Sequence, residues 1–415
     1  MIIDAKKLNG LCSCGKVHEM FTEFAVVESG ALKKFDEYRQ KYSLVGKTTA
    51  IYDENTYIAT KDRHVNATNE IILPQKNLHA NEKGVQAVLD NYPSDTQVLV
   101  AVGSGTIHDI TRYVAHLKVV PFIACPTAAS VDGFCSSVAA MTWEGCKKTF
   151  PAVAPKIVIA DTDVIANAPL EMAKSGFGDM IGKYISLADW KIANVVTGEY
   201  ICPRISDMTM QATTTVLEIA DKLKNGEKDG FEKLAYGLIL SGLAMQLSGN
   251  SRPASAAEHH ISHLIEMQPQ GLNVNSDAMH GEKVGVATII LSGVYHKIAN
   301  SKVEFVDYMP YTKEFVHKMF GDELTRQIMQ ENEGDTAVGV TKEKLESCFD
   351  KIREIISEIP TQEKLIEIYD NLGVKKMLSD IDVPDDKLDL ILEYAPCVRL
   401  RLTLLRLKKA IKIVG

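Results

Sequence analysis

Near residue 165 the sequence changes its period, and that change limits the fold more than any other feature. Before it, short β-rich runs, TTAIYD (48–53), EIILP (70–74), QVLVAVGSG (97–105), PFIACP (121–126) and KIVIAD (156–161), alternate with stretches such as KGVQAVLDNY and TIHDITRYVAHL, whose apolar residues recur at threes and fours. Strand, helix and strand in succession predict a parallel sheet. After it the β-branched runs stop and long helical patterns follow, from PLEMAKSGFGDMIGKYISLADWKIA through FEKLAYGLILSGLAMQL to KLDLILEYAPCVRLRLTLLRLKKAI. The expectation is an α/β domain over 1–165 and a helical domain over 166–415, with no internal repeat and no low-complexity linker.

Composition supports two globular domains: 415 residues, 46% hydrophobic and 24% charged. A net charge of −8 without a long Lys/Arg run argues against nucleic acid or an anionic membrane as the main partner and leaves a small molecule. The start, MIIDAKKLNG, lacks the apolar core of a signal peptide, and no run of about 18 apolar residues is present, so the expected location is the cytoplasm. Cys12, Cys14, Cys125, Cys135, Cys146, Cys202, Cys348 and Cys397 form no framework and read as reduced thiols. CSCGKVH brings Cys12, Cys14 and His18 close in sequence, but zinc calls for a fourth ligand and usually a longer spacer. The segment is read as an N-terminal loop carrying thiols, with no function assigned.

VLVAVGSGTIHDI runs from a buried strand through Gly103, Ser104 and Gly105 into a helix. Such a turn lets backbone N–H groups meet a pyrophosphate at a helix N-terminus. The dinucleotide fingerprint has a third glycine where this chain has His108, and a bare GxG is also a plain tight turn. CPTAASVDGFCSS, after the next strand, adds Thr127, Ser130 and Ser136 as donors, with Asp132 among them. Two such turns at one sheet edge favour a nucleotide site. Asp53, ending its strand, reads either as an acceptor for an adenosine ribose or as a helix N-cap.

In EHHISHLIE (258–266), His259, His263 and Glu266 share one helix face while His260 turns away. QPQGLNVNSD breaks that helix, and His280 opens the next at HGEKVG. In SGFGDMIGKY, Ser175 and the glycines read as a helix start with Asp179 in its first turns. Two imidazoles and one carboxylate suit Zn²⁺, Fe²⁺ or Ni²⁺ with room left for substrate.

GSGTIHD, CPTAASVDGF, SGFGDMIGKYISLADW, SRPASAAEHHISH and HGEKVG, in this order, resemble the sn-glycerol-1-phosphate dehydrogenases, relatives of glycerol dehydrogenase, dehydroquinate synthase and the iron-dependent alcohol dehydrogenases. The likeness covers roughly residues 45–400, and SRPAS before EHxxSH is its specific element. It implies a dehydroquinate synthase-like fold, with a Rossmann-like nucleotide-binding domain followed by an all-helical metal- and substrate-binding domain. It also implies NAD(H) or NADP(H) with one divalent metal. Carried over, Asp179, His259 and His280 hold the metal, and His263 and Asp132 contact substrate. Gly103, Ser104, Gly105, Thr106, Ile107, Thr127, Ala128, Ser130, Ser136 and Asp53 contact the nucleotide. The alcohol dehydrogenases carry a histidine four residues after their metal aspartate, where this chain has Lys183, so three protein ligands are expected.

In these terms the metal activates a secondary hydroxyl for hydride transfer to nicotinamide, or polarises the ketone of dihydroxyacetone phosphate in reverse. His263 could relay a proton, and Glu266 or Glu282 could orient a ligand imidazole. Arg252, Lys183 and Lys283 are the cationic candidates for the substrate phosphate, with Arg252 first and a helix-start ion pair as its other reading. Asp53 favours NADH over NADPH, because a 2′-phosphate would meet its carboxylate. The partner is a phosphorylated triose or glycerol, and the assembly expected is a homodimer. Three other functions use similar parts: a glycerol dehydrogenase, a cyclising lyase like dehydroquinate synthase, and a non-catalytic metal-binding scaffold. Asp179, where the lyases use glutamate, favours the dehydrogenase over the lyase.

Overall fold

In the computed structural model, which describes residues 1–143 and 146–414, the expected alternation forms a seven-stranded sheet. Its strands are β1 (Ile2–Asp4), β2 (Phe24–Glu28), β3 (Thr48–Asp53), β4 (Asn69–Leu73), β5 (Val98–Gly103), β6 (Phe122–Pro126) and β7 (Ile157–Asp161), in the order β1-β2-β7-β6-β5-β3-β4. All neighbours are parallel except β1 and β2. β5, β6 and β7 are buried along their whole length, which is why their sequences are apolar without alternation. β3 runs to β4 on one side, and β5 then lies on the other side of β3. The strand order therefore reverses between the carboxyl ends of β3 and β5, the position at which such sheets bind ligands.

Five strands match the β-rich runs. β1 and β2 and the hairpin Val138–Trp143 with Cys146–Pro151 were not anticipated. The side chain of Cys146 lies outside the described residues.

The helices of the first half are α1 (Phe35–Lys41), α2 (Glu54–Ala59), α3 (Glu82–Asp90), α4 (Gly105–Lys118) and α5 (Thr162–Ile165). Beyond them come α6 (Leu170–Ile181), α7 (Lys183–Thr197), α8 (Pro203–Glu218), α9 (Ala220–Lys224), α10 (Lys228–Ser248), α11 (Ala257–Met267) and α12 (His280–Asn300). α13 (Lys313–Glu331), α14 (Lys342–Ser357), α15 (Gln362–Leu372), α16 (Leu388–Tyr394) and α17 (Leu404–Leu407) complete the set. No helix among the described residues is long and apolar enough to cross a membrane.

Two helical expectations need correction. Ser175 does not start a helix: α6 begins at Leu170, and Asp179 stands in its last turn. Gly176 serves close approach instead, since a Cβ on it would lie 2.1 Å from the Ala129 carbonyl oxygen. The run 387–411 is not one helix. α16 gives way to a turn at Ala395–Cys397, where Pro396 cannot continue the helix, and Thr403 caps α17 before a short strand, Ile411–Ile413, that pairs with Val303–Phe305.

Contacts divide the chain into two compact units. The first is Met1–Met180 with Thr214–Asn250, which adds α10 to the sheet; the second is Ile181–Thr213 with Ser251–Gly415.

Candidate active site

The nucleotide-type turn of the first unit follows β5. Ser104 is the N-cap of α4 but makes no side-chain cap bond, so the N–H groups of the first turn have no side-chain acceptor from the cap. That is the donor arrangement an anion requires. His108, in place of the third glycine, is buried, with its Nδ1 2.9 Å from the Ser104 carbonyl oxygen and its ring edge-on to Phe134. Burial pushes its pKa down to about 3, so it packs as a neutral ring.

The second turn lies against the first. Thr127 N–H donates to the Gly103 carbonyl at 3.0 Å, and Ala128 and Ser130 are buried behind it. Ser136 is spent locally: its hydroxyl donates to the Val138 carbonyl (2.8 Å) and accepts from the Val138 N–H (3.0 Å). Arg112 of α4, fully buried, fastens this turn by donating to the carbonyls of Gly133, Phe134 and Val138. Sequence reading missed Arg112, because an arginine on a helix pattern looks like a solvated residue.

Asp132 and Asp179 belong to one network. The Asp132 N–H donates to Asp179 Oδ2 at 3.0 Å, and Ser241 of α10 donates to Asp132 Oδ2 at 2.8 Å. Gly242 lets α10 come this close, since a Cβ there would sit 2.8 Å from the Asp132 carbonyl oxygen. Asp53 is an N-cap as observed: its Oδ1 accepts from Thr56 N–H at 3.0 Å, and its own N–H donates to Thr56 Oγ1 at 3.0 Å. It stands at the carboxyl end of β3, beside the point where the strand order reverses.

The second unit holds the histidines. His259 and His263 on α11 and His280 at the start of α12 form a triangle, with ring centroids 5.2 Å apart for 259–280, 5.9 Å for 259–263 and 6.0 Å for 263–280. Gln268, in a left-handed conformation, ends α11 and lets the chain return for α12. His259 Nδ1 lies 2.7 Å from Glu258 Oε1, and His280 Nδ1 lies 3.1 Å from Glu266 Oε1. A carboxylate only accepts, so each Nδ1 carries the proton and each Nε2 keeps its lone pair, the form in which imidazole binds a metal. A ring nitrogen of His263, a Glu266 oxygen and a ring nitrogen of His280 also lie within 4.8 Å of one another.

The electrostatics fit this division of labour. Burial opposes ionisation of Glu266, but its interactions with His280, which include a hydrogen bond, and with His263 and Lys283 outweigh it and hold the carboxylate well below its usual range. Burial raises Glu258 to about 7 and lowers His263 to about 3.

Glu258 was not singled out from the sequence, where a glutamate opening a helix reads as a dipole partner. Of the two glutamates that were, Glu266 does orient an imidazole. Glu282 does not: it accepts from Met279 N–H (2.8 Å) and pairs with Lys375 (3.1 Å), capping α12. His260 is turned from the triangle and buried, and neither ring nitrogen has a hydrogen-bond partner.

Arg252 requires a correction as the first choice for a phosphate. Its guanidinium is buried and bound bidentately to Glu199, and Nη1 donates to the Leu402 carbonyl at 3.0 Å. Arg401 holds the same segment by donating to Ser251 Oγ and the Ser255 carbonyl. SRPAS is thus a clamped lead-in to α11. Lys183 is fully buried at the start of α7, and its charge is felt by Glu258.

These features have counterparts in known proteins. The family model described as iron-containing alcohol dehydrogenase matches residues 26–169. A probable glycerol dehydrogenase from Sinorhizobium meliloti 1021 shares the fold, with a TM-score of 0.60 at 16% identity over 89% of this chain and 88% of that one. A glycerol-1-phosphate dehydrogenase, NAD(P)+, from Bacillus licheniformis is 33% identical over 98% of this chain and 94% of its own length. The enzyme of the same name from Halalkalibacterium halodurans is 33% identical over 98% and 97%. At that identity over the full length, the chain belongs to the NAD(P)-dependent glycerol-1-phosphate dehydrogenase family, with the nucleotide-type turns on its sheet and the imidazole cluster in its helical unit.

Proposed function

We propose that this protein interconverts dihydroxyacetone phosphate and sn-glycerol 1-phosphate with NAD(P)H and one divalent metal. The observation that carries the reading is the pair His259 and His280, each with Nδ1 tied to a carboxylate, which sets the tautomer whose Nε2 can ligate a metal. Asp179, a buried carboxylate of the first unit, is assigned as the third ligand, and an imidazole and oxygen set of that kind suits zinc, nickel or iron(II). Asp179 lies one residue before the chain passes into the second unit. When bound, the metal supplies Lewis acidity at the substrate C2 oxygen and the nicotinamide supplies the hydride.

The remaining roles fall to the chain's own residues. His263, kept neutral by burial, is assigned the proton passed to or from the C2 oxygen. Asp132, fixed by Ser241, positions the polar edge of the substrate. Lys283 takes over from Arg252 as the first candidate for the phosphate, since it is buried near Glu266 and its charge acts there. The turn Gly103–Ile107 with Thr106, and Thr127 to Ser130, would receive the pyrophosphate. The second oxygen of Asp53 would meet the ribose and favour NADH. The reading extends to a cytoplasmic homodimer whose product enters phospholipid synthesis, with light scattering as the check on the dimer.

The test follows NADH absorbance with dihydroxyacetone phosphate, dihydroxyacetone and simple ketones after chelation and metal add-back. Activity should return with metal and be largest on the phosphorylated ketone. Preference for glycerol or dihydroxyacetone would make the chain a glycerol dehydrogenase, and tight metal binding without NADH turnover would make it a scaffold. His259→Ala and His280→Ala should each lose metal and activity together, and a full metal equivalent in both would remove the assignment. Loss of metal in His263→Ala with retention in His259→Ala would move the metal to His263, Glu266 and His280.

A further inference from the structure

The N-terminal CSCGKVH segment takes no part in the site above. It is not a loose loop: Gly10–Leu11 pairs with Val17–His18 as a small antiparallel hairpin, closed by Cys12 N–H to the Lys16 carbonyl and Gly15 N–H to the Cys12 carbonyl, both at 2.9 Å. Gly15, at φ +85°, allows that turn.

Within it Cys12 Sγ, Cys14 Sγ and a ring nitrogen of His18 lie within 4.8 Å of one another, and Cys14 Sγ is 3.3 Å from His18 Nε2. Cys12 and His18 are buried. His18 Nδ1 is 2.7 Å from the Leu247 carbonyl, in the last turn of α10. A carbonyl only accepts, so Nδ1 bears the proton and Nε2, facing the thiol, carries the lone pair. A backbone carbonyl fixing the tautomer behind an imidazole is the support that metal-binding histidines use.

We infer that this hairpin binds a zinc-class ion through Cys12 Sγ, Cys14 Sγ and His18 Nε2, at a structural site separate from the one proposed for catalysis. Soft thiolates with imidazole select zinc among available divalent ions. Binding M²⁺ converts both thiols to thiolates and releases two protons, with no change of oxidation state. The ion ties the hairpin, through His18, to the carboxyl end of α10, whose last carbonyls have no partner within the helix. Zinc takes four ligands, and the fourth place falls to water.

Cobalt(II) separates this site from the other, because only thiolate ligands give a sulfur-to-cobalt charge-transfer band in the near ultraviolet. Full-length protein stripped by chelator should take up cobalt with that band, displaced by one equivalent of zinc. Cys12→Ser and Cys14→Ser should each lose the band, bind one metal equivalent fewer and melt at lower temperature, with dehydrogenase activity retained at low temperature. Cys14→His, which restores a donor, should still bind with a weaker band. A stripped wild type without the band, or a band undiminished in Cys12→Ser and Cys14→Ser, overturns it, whatever the enzyme's substrate proves to be.

Discussion

A carboxyl group buried as deeply as that of Glu258 is costly unless something uses it. One oxygen is engaged by His259 and by the Ala256 N–H, and the other has no hydrogen-bond partner. Glu258→Gln should therefore weaken metal binding by about 10–100-fold while His259 remains in place. Equilibrium dialysis against zinc measures this, and an unchanged affinity would reduce Glu258 to a packing residue. His260 gives the opposite expectation. An unpartnered buried polar group costs about 1–3 kcal/mol, so His260→Leu should leave thermal stability equal or higher and metal content unchanged. A loss of metal would show that this ring belongs to the site. EHHISH displayed the right imidazoles in the sequence, because helical spacing alone sorts them by face. Which nitrogen each presents depends on Glu258 and Glu266, and no spacing rule encodes that. Arg252 misled for the related reason that its partner, Glu199, is distant in sequence.

Among the elements, α6 is the most sensitive. With Ala129 O 2.1 Å from where a Cβ would stand, Gly176→Ala has to push α6 off the second turn. It should lower kcat/KM for the nucleotide at least as much as it lowers stability, and nucleotide kinetics equal to wild type would contradict this. At the start of α5, Asp163 accepts from Lys228, Ser29 and Arg63, and chiefly the Lys228 bond lowers its pKa to about 2 from an ordinary 3.8. A depressed carboxylate contributes stability above the unfolded value and loses it as pH falls through the folded one. Asp163→Asn should therefore be less stable than wild type in urea at pH 6, with the gap closing between about pH 4 and pH 2. A constant gap would mean that packing, not charge, is at stake. The central strands were legible as apolar runs because both faces are buried. β1, at three residues, was too short to read, β2 was passed over although it is as long as β4, and the long apolar pattern after residue 387 hid a break that Pro396 and Thr403 impose.

At the scale of the molecule, the first unit is not continuous in sequence. α10 arrives after an excursion of the chain through 181–213, and it is structural to the sheet-bearing unit. Gln246 accepts from the N–H groups of Phe21 and Thr22 and donates to Thr22 Oγ1 and the Cys135 carbonyl. A fragment ending at residue 180 should accordingly lack a cooperative urea transition, and one as sharp as that of the intact chain would refute this. The same discontinuity sets a timetable on the ribosome. The strands and both turns have emerged once residue 161 is clear of the exit tunnel, yet the helix that closes them is completed only near residue 250. At the usual ~5–20 residues per second that is a wait of roughly 4–18 seconds. Through that interval the part of the nascent unit on which α10 packs stands uncovered, so synthesis of this protein should lean on holdase chaperones more heavily than its final stability suggests.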